Sequence, residues 1–567
     1  MRVPAKLAGV GAIALLAGTA LSTGASAQVT YDRLLNPEPE NWLTHNLTYD
    51  GHRYSLLDEI NTGNVGDLRV AFTLPLMPHI HAGLGSGQGT PLVDNGIMYM
   101  VDMFGVVYRI DVSSGRQARI NWIMDPETDP ESFALANNKG VALFGDTVYS
   151  AEADGLLIAT DAASGEVLWQ VDTRIDPDEE FTMAPLALDG MIINGPRGDA
   201  PMRGWLDARS TEDGSQIWHF WAVPAPGEPG GETWPADNDA YLVSGTSFWV
   251  TGTYDSESNL LFYGTSNPTP FGDPTLRAGD NLYSQATVAL DADTGQLAWY
   301  FQYTPQDQWD YDENGTNQVI RTADGEFRIG HFGRNGFAYI LDGATGEFIN
   351  GVQYVNEVNW TAGLDPKTGM PIEYDPALRE GGYQQYAINP YAVAEDGALA
   401  AAGIVRSELI CPHIQGGNNH WPTSYSDRTG LMYATAIEGC SRGDPAAPIT
   451  GSVIAVDADG NIANKVPIPF APYGGQLTTA GGLLFSNMVN GDIFAMDDTT
   501  LEVLWSFNVG TAIEAPPITY AVDGKQYIAV LVGNGRLSRG HAARGEDPSG
   551  EPLLNLQPAY TMYFFTL

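Results

Sequence analysis

Asp310 and Asp312 flank a tyrosine in DQWDYDENG, Asp307 to Gly315, directly after a tryptophan. On extended chain, residues two apart point to the same face, so the pair can reach one cation or one proton. The chemistry on offer is metal ligation, general-base catalysis or both. DYDENG also satisfies the first half of an EF-hand calcium loop, which closes with a bidentate Glu at its twelfth position. Here that position is Arg321, and no helical pattern flanks the stretch. A solvated acidic turn in an Asp-rich chain accounts for the same letters, and the choice between these readings rests on the remaining sequence.

Other groups with chemical potential are sparse. His79 and His81 in PHIHAG have the spacing of a two-ligand metal clip on one strand face, but no third ligand is in sight, and a loop explains the alternation without a metal. Cys411 and Cys440 are the only cysteines, and no CxxC or CxxCH spacing offers a zinc site or a covalently held haem. In an oxidising compartment such an isolated pair favours a disulfide over two free thiols. No GxGxxG follows a strand pattern and opens a helix, which argues against a nicotinamide cofactor.

The compartment is read from MRVPAKLAGVGAIALLAGTALSTGASAQ. Arg2 and Lys6, an apolar run and Ala25-Ser26-Ala27 before Gln28 form the pattern of a cleavable secretory signal over residues 1–27. The expected product is exported, to the periplasm or outside the cell. It is expected to be soluble, since no later stretch has the ~18 or more uninterrupted apolar residues of a membrane span. Lys and Arg total 27 against 69 Asp and Glu, a formal charge of −42 spread along the chain. That excludes nucleic-acid binding, which needs a basic face, and favours a basic partner drawn in by long-range attraction.

The elements that must position these residues announce themselves by repetition. One phrase recurs: an apolar strand end, an Asp, a short polar turn usually with Gly, then an apolar strand often reaching Trp. It appears as YRIDVSSGRQARINW, IATDAASGEVLW, WLDARSTEDGSQIW, VALDADTGQLAW, YILDGATGEFI, IAVDADGNIANKV and FAMDDTTLEVLW. Each copy reads as a hairpin, with preceding strands such as GTPLVDNGIMYMVD completing a four-stranded unit. Seven such copies, with an eighth unit closed by strands from both ends including DGKQYIAVLVGNG, predict an all-β, eight-bladed β-propeller over residues 28–567. Pro-rich inserts such as VPAPGEPGGETWP and WTAGLDPKTGMPIEYDP read as loops, and long loops in a compact fold tend to carry function.

Over nearly all of this length the sequence resembles the quinoprotein alcohol dehydrogenases, which are similar to the large subunit of methanol dehydrogenase and carry pyrroloquinoline quinone (PQQ) in an eight-bladed propeller. The resemblance rests on NWLTHNLTYDGHRYSLLDEINTGNVGDLRVAF, GTSFWVTGTYDSESNLLFYGTSNPTPF, TPQDQWDYD, NWTAGLDPKTGMPI and CPHIQGGNNHWPTSYSDRTGLMYA, in that order. It implies that Trp249 is the aromatic floor beneath the flat cofactor, Asn267 an amide metal ligand and Asp310 the catalytic base. Asp199 falls where the family places a metal-ligating Glu. Thr182, Arg203 and Lys139 fall at or near cofactor-contacting positions, Lys139 where Arg is usual. Arg334 matches a cation near the reactive carbonyl, and Asn419 and Trp421 lie in a cofactor-contacting loop. Gln88 occupies the place of a usual acidic cofactor contact. The set is chemically coherent: a tricarboxylate orthoquinone needs cations, an aromatic surface and a Lewis acid, and Asp199, Asn267 and Asp310 offer oxygen ligands to a hard cation.

Two further implications concern departures and additions. The family's adjacent Cys-Cys pair, which covers the cofactor, would fall at Phe133 and Ala134, so that cover is missing, whereas Cys411 and Cys440 match a structural disulfide. An Asp two residues after the catalytic Asp marks the lanthanide-dependent branch. Asp312 is therefore expected to be a metal ligand, the ion being a lanthanide or Ca2+ with the extra carboxylate favouring the lanthanide; the alternative is a carboxylate that faces solvent. The expected activity is oxidation of an alcohol or polyol to an aldehyde or ketone by hydride transfer to PQQ, with a periplasmic c-type cytochrome as electron acceptor. The competing reading is a non-catalytic propeller serving as a binding or assembly scaffold.

Overall fold

The computed structural model describes residues 28–76, 86–128, 137–198, 201–270, 273–387, 409–441, 447–533, 556 and 559–567. The signal pattern, His79, His81, Phe133, Ala134 and Asp199 lie outside them. Apart from short helical turns, the described chain is strand and loop, arranged in eight antiparallel sheets. This is the expected eight-bladed propeller.

Seven blades are built from four consecutive strands. In the first blade these are Leu92–Asp94, Ile97–Val101, Val107–Asp111 and Arg119–Met124. Inner strands such as Leu92–Asp94, Leu186–Leu188 and Ser424–Ser426 are short and wholly buried, because they line the propeller axis. Outer strands such as Arg119–Met124 alternate exposed and half-buried residues, as edge strands facing water on one side do. The eighth blade takes its three inner strands from Ile518–Val522, Lys525–Gly533 and Tyr560–Thr566, and its outer strand from Arg69–Pro75, so Arg69 pairs with Thr566.

The recurring phrase has a physical reason in both halves. Its Asp caps the turn: Asp161 accepts from the Ala163 and Ser164 amides, and Asp342 from those of Ala344 and Thr345. Its Trp reaches the turn of the next blade. Trp122 donates to Ala162 O, Trp169 to Thr211 O, Trp218 to Ala292 O, Trp299 to Gly343 O and Trp505 to Leu68 O, all at 2.9–3.2 Å. Where the Trp is absent, Asn350 and Asn464 make the same junction to Asp459 O and Thr500 O, and the Tyr527 hydroxyl closes the ring onto Gly115 O.

A segment from Trp42 to Ser55 runs along the axis and binds the inner strands of six blades. Trp42 exchanges hydrogen bonds with Val93, and the Tyr49 hydroxyl donates to Ala187 O. The carbonyls of Tyr49, Asp50, His52 and Arg53 accept from Tyr254, Val319, Tyr425 and Thr478. Tyr54–Ser55 then pairs in parallel with Leu477–Thr479. The fully buried Arg53 guanidinium donates to the carbonyls of His45, Gln476 and Pro517 and lies over Trp42. Burial pushes it down to about 9.

Candidate active site

The site is assembled from equivalent places in successive blades. Gln88, Lys139, Thr182, Trp249, Asp310 and Asn419 each lie in the connection leading into the inner strand of a blade, so repetition alone brings them to one end of the axis. These connections bond to one another around the ring: Thr90 donates to Lys139 O, Lys139 to Thr182 O, and the Thr182 hydroxyl to Trp249 O at 3.4 Å. Asn267 and Arg334 come from connections between the second and third strands of their blades.

One half of the site is carboxylate and guanidinium. Trp309 and Tyr311 are fully buried in an aromatic nest with Trp360 and Tyr386, whereas Asp310 and Asp312, which alternate with them, stay partly exposed. Both carboxylates do reach one cation, and it is the guanidinium of Arg334, at 3.3 Å from Asp310 and 2.6 Å from Asp312. Their side chains are only 17% and 10% exposed, so this is no solvated turn. Asp310 has φ +67°, a left-handed conformation that Asp tolerates better than most residues, and its amide donates to Asp307. Asp307 is fully buried and pushed up to about 6 by that burial, against the pull of Arg277.

Arg334 is itself clamped. Its backbone amide donates to the buried Glu313, which also meets His331, and its guanidinium donates to Ile414 O at 2.8 Å. The amide of Ile414 donates to the Ser441 hydroxyl, and the Cys411–Cys440 disulfide ties the same two segments together. Gly416 lies against the aliphatic part of Arg334, where a Cβ would overlap the side chain, and its φ of +77° is one that glycine adopts without strain.

Asn267 supplies the most informative contact. Its amide N–H donates to Asp312 at 2.7 Å, while its side chain is fully buried with neither the oxygen nor the nitrogen bonded to any described residue. A buried amide without partners costs roughly 1–3 kcal/mol. An unbonded amide oxygen on a residue whose backbone meets the Asp312 carboxylate suits a hard cation, which would satisfy it.

The other half is aromatic and basic. Trp249 is half-buried, with the Lys139 ammonium 4.7 Å from its ring centroid and the His420 ring 5.8 Å away. Lys139 donates to the Thr182 hydroxyl at 3.2 Å. Gln88, Trp421 and His420 each leave a buried polar atom unbonded among the described residues. A flat polyanion with several acceptors fits this surface. Asn419 turns its oxygen to the amide of His420 and its nitrogen to Gln415 O. Arg203 is engaged elsewhere, donating to Val223 O and Glu228 and stacking on Trp221. Sequence reasoning passed over His420, although it stands between Asn419 and Trp421, and over Asp307 and Glu313, whose role is to orient neighbours.

Comparison with known proteins shows the family to which the chain belongs. The model of the PQQ glucose/ethanol/alcohol dehydrogenase β-propeller domain matches residues 42–359 and 453–528. The quinohemoprotein alcohol dehydrogenase ADH-IIG of Pseudomonas putida is 33% identical, across 94% of this chain and 78% of its own length. Quinoprotein alcohol dehydrogenase PedH of Pseudomonas putida KT2440 is 30% identical across 92% of each. Among solved structures, a europium-containing methanol dehydrogenase superposes with a TM-score of 0.80 at 28% identity, covering 94% of this chain and 100% of that one.

Proposed function

Because this chain belongs to the PQQ-dependent glucose/ethanol/alcohol dehydrogenase family and is an alcohol dehydrogenase of the quinoprotein type, we propose that it is an exported enzyme oxidising an alcohol to an aldehyde or ketone. In this reading residues 28–567 form one PQQ-binding unit, a c-type cytochrome takes the electrons, and Asp310 is the base. The observation that carries the site assignment is the buried, unbonded amide of Asn267 beside Asp312.

PQQ and a metal ion, when bound, would supply a two-electron oxidant and a Lewis acid. Trp249 offers the stacking surface. Lys139, Thr182 and Gln88, with Asn419 and Trp421, line its edge, and Arg203 contributes if it leaves Glu228. Asn267, Asp310 and Asp312 offer oxygen ligands, with Asp199 as a fourth candidate. Asp310 takes the proton of the substrate hydroxyl at its carboxylate, and Arg334 favours the ionised form and fixes its direction. Asp312 adds a negative charge that a trivalent ion balances better than a divalent one, which favours a lanthanide over Ca2+. The europium in a methanol dehydrogenase of this fold supports the same choice.

A non-catalytic scaffold would keep the repeats but has no use for an unbonded buried amide beside clamped carboxylates. The test is dye reduction by purified protein reconstituted with PQQ and either lanthanum or calcium, over a panel of primary, secondary and polyhydric alcohols. Turnover with at least one alcohol is expected; absence of both turnover and PQQ retention would favour the scaffold.

A further inference from the structure

Lys139 is 2% exposed, and its ammonium donates to the Thr182 hydroxyl while lying over the Trp249 ring. No carboxylate pairs with it among the described residues. Among the described residues, the titratable and charged groups that face it are all basic. Arg197 is paired with Glu180 at 3.0 Å, His45 sits on the axial segment, and His420 lies across the Trp249 ring. His45 and His420 each keep a buried ring nitrogen unbonded among the described residues. A buried cation that faces bases and has no counter-ion among the described residues is an incomplete arrangement, and an anion completes it.

Resting on the PQQ reading above, we propose that Lys139 couples cofactor loading to proton uptake: the polyanionic cofactor is held by the ammonium form, and the site takes one proton from solvent as it fills. The proton goes to the lone pair of Lys139 Nζ, and no other bond forms or breaks. Burial, with Arg197 adding repulsion, pushes Lys139 down to about 7 in the empty site. Burial, then the neighbouring positive charges, likewise pushes His45 down to about 3 and His420 well below its ordinary range. Carboxylates arriving beside Nζ raise the amine again. The sign follows. Well below pH 7 the empty site already carries the proton, so loading is proton-neutral. Above that value the amine must be recharged on loading, and affinity falls by up to about tenfold per pH unit. An arginine here would stay charged at every pH in question.

The experiment is calorimetric titration of PQQ into the apoprotein at constant saturating lanthanum or calcium. It is run at about pH 6 and about pH 8.5, in paired buffers of different ionisation heat, with quenching of tryptophan fluorescence as a second measure of affinity. The parent is expected to take up close to one proton per PQQ at the higher pH and almost none at the lower, with Kd weakening at least tenfold between them. Lys139→Arg is expected to bind without proton uptake and with a flat Kd, and Lys139→Met to bind weakly at both pH values, again without uptake. Tight, pH-independent, proton-neutral binding by the parent would overturn the coupling and leave the PQQ reading intact. Uptake that persists in Lys139→Arg and disappears in His420→Gln would move the proton to the imidazole and overturn it too. No binding by the parent at any pH would remove both.

Discussion

The proposed base, Asp310, is held in place by its neighbours. Buried Trp309 and Tyr311 fix the backbone, Asp307 accepts its amide, and Arg334 faces its carboxylate. Asp310→Asn preserves the shape and removes the basicity, so PQQ retention should survive while turnover falls about 10²–10⁴-fold, read from steady-state rates and the absorbance of bound cofactor. Near-normal turnover would take Asp310 out of the mechanism. Trp249→Ala deletes the ring over which Lys139 lies, and PQQ should bind roughly ten- to a hundredfold more weakly by fluorescence or calorimetric titration; an unchanged Kd would show that the floor lies elsewhere. Asp312→Ala should abolish a preference for lanthanum over calcium in reconstituted activity, and equal dependence on calcium in parent and variant would rule against that role. That Asp310 and Asp312 act on one partner was legible in the sequence, but the extended-chain reason was not the right one: Asp310 is left-handed at φ +67°, outside any strand, and both carboxylates meet at Arg334. That Arg334 would be the cation they share was not legible, since it depends on Ile414 O and Glu313 reaching it from distant segments.

At the scale of the element, the Asp-turn-Gly-Trp phrase was readable because half of it is local: the Asp caps its own turn wherever it stands. The other half is a contact between blades, and the linear sequence hides which Trp meets which turn. Gly346 lies beneath Trp299 with φ +73°, so a side chain there meets both backbone strain and the indole. Gly346→Ala should destabilise the protein by about 1–3 kcal/mol, and Trp299→Ala by about 3–5 kcal/mol, in denaturant titrations. The two changes should be less than additive, since removing the indole leaves only the backbone term at position 346; full additivity would mean that the two residues do not press on each other. Blades that replace the Trp with Asn350 or Asn464 were harder to align for the same reason. The carbonyl junction is retained while the letter that marks it changes. His420 escaped notice because its meaning comes from Trp249, contributed by a blade two places earlier in the chain.

For the whole molecule, a formal charge of −42 sets how it meets other macromolecules. Its association with a basic electron acceptor should be fast at low salt and slow several-fold as ionic strength rises from about 0.01 to 0.15 M, measured by stopped-flow reduction of a basic c-type cytochrome. A rate insensitive to salt would point to an uncharged docking face. No described helix is long and apolar enough to cross a membrane. The segment from Trp42 to Ser55 carries a consequence of its own. It touches the inner strands of six blades, and Arg53 reaches Gln476 and Pro517, so its partners are spread over almost the entire sequence. During synthesis this segment emerges before every strand it will touch, and Arg69–Pro75 waits for Tyr560–Thr566 to complete the ring. Both are contacts of the longest sequence separation, which form slowly. The axial thread and the closing strand pair therefore make assembly a late, all-round event: a ribosome-bound chain is an open arc of blades, and the proposed cofactor site is complete only when its two ends meet.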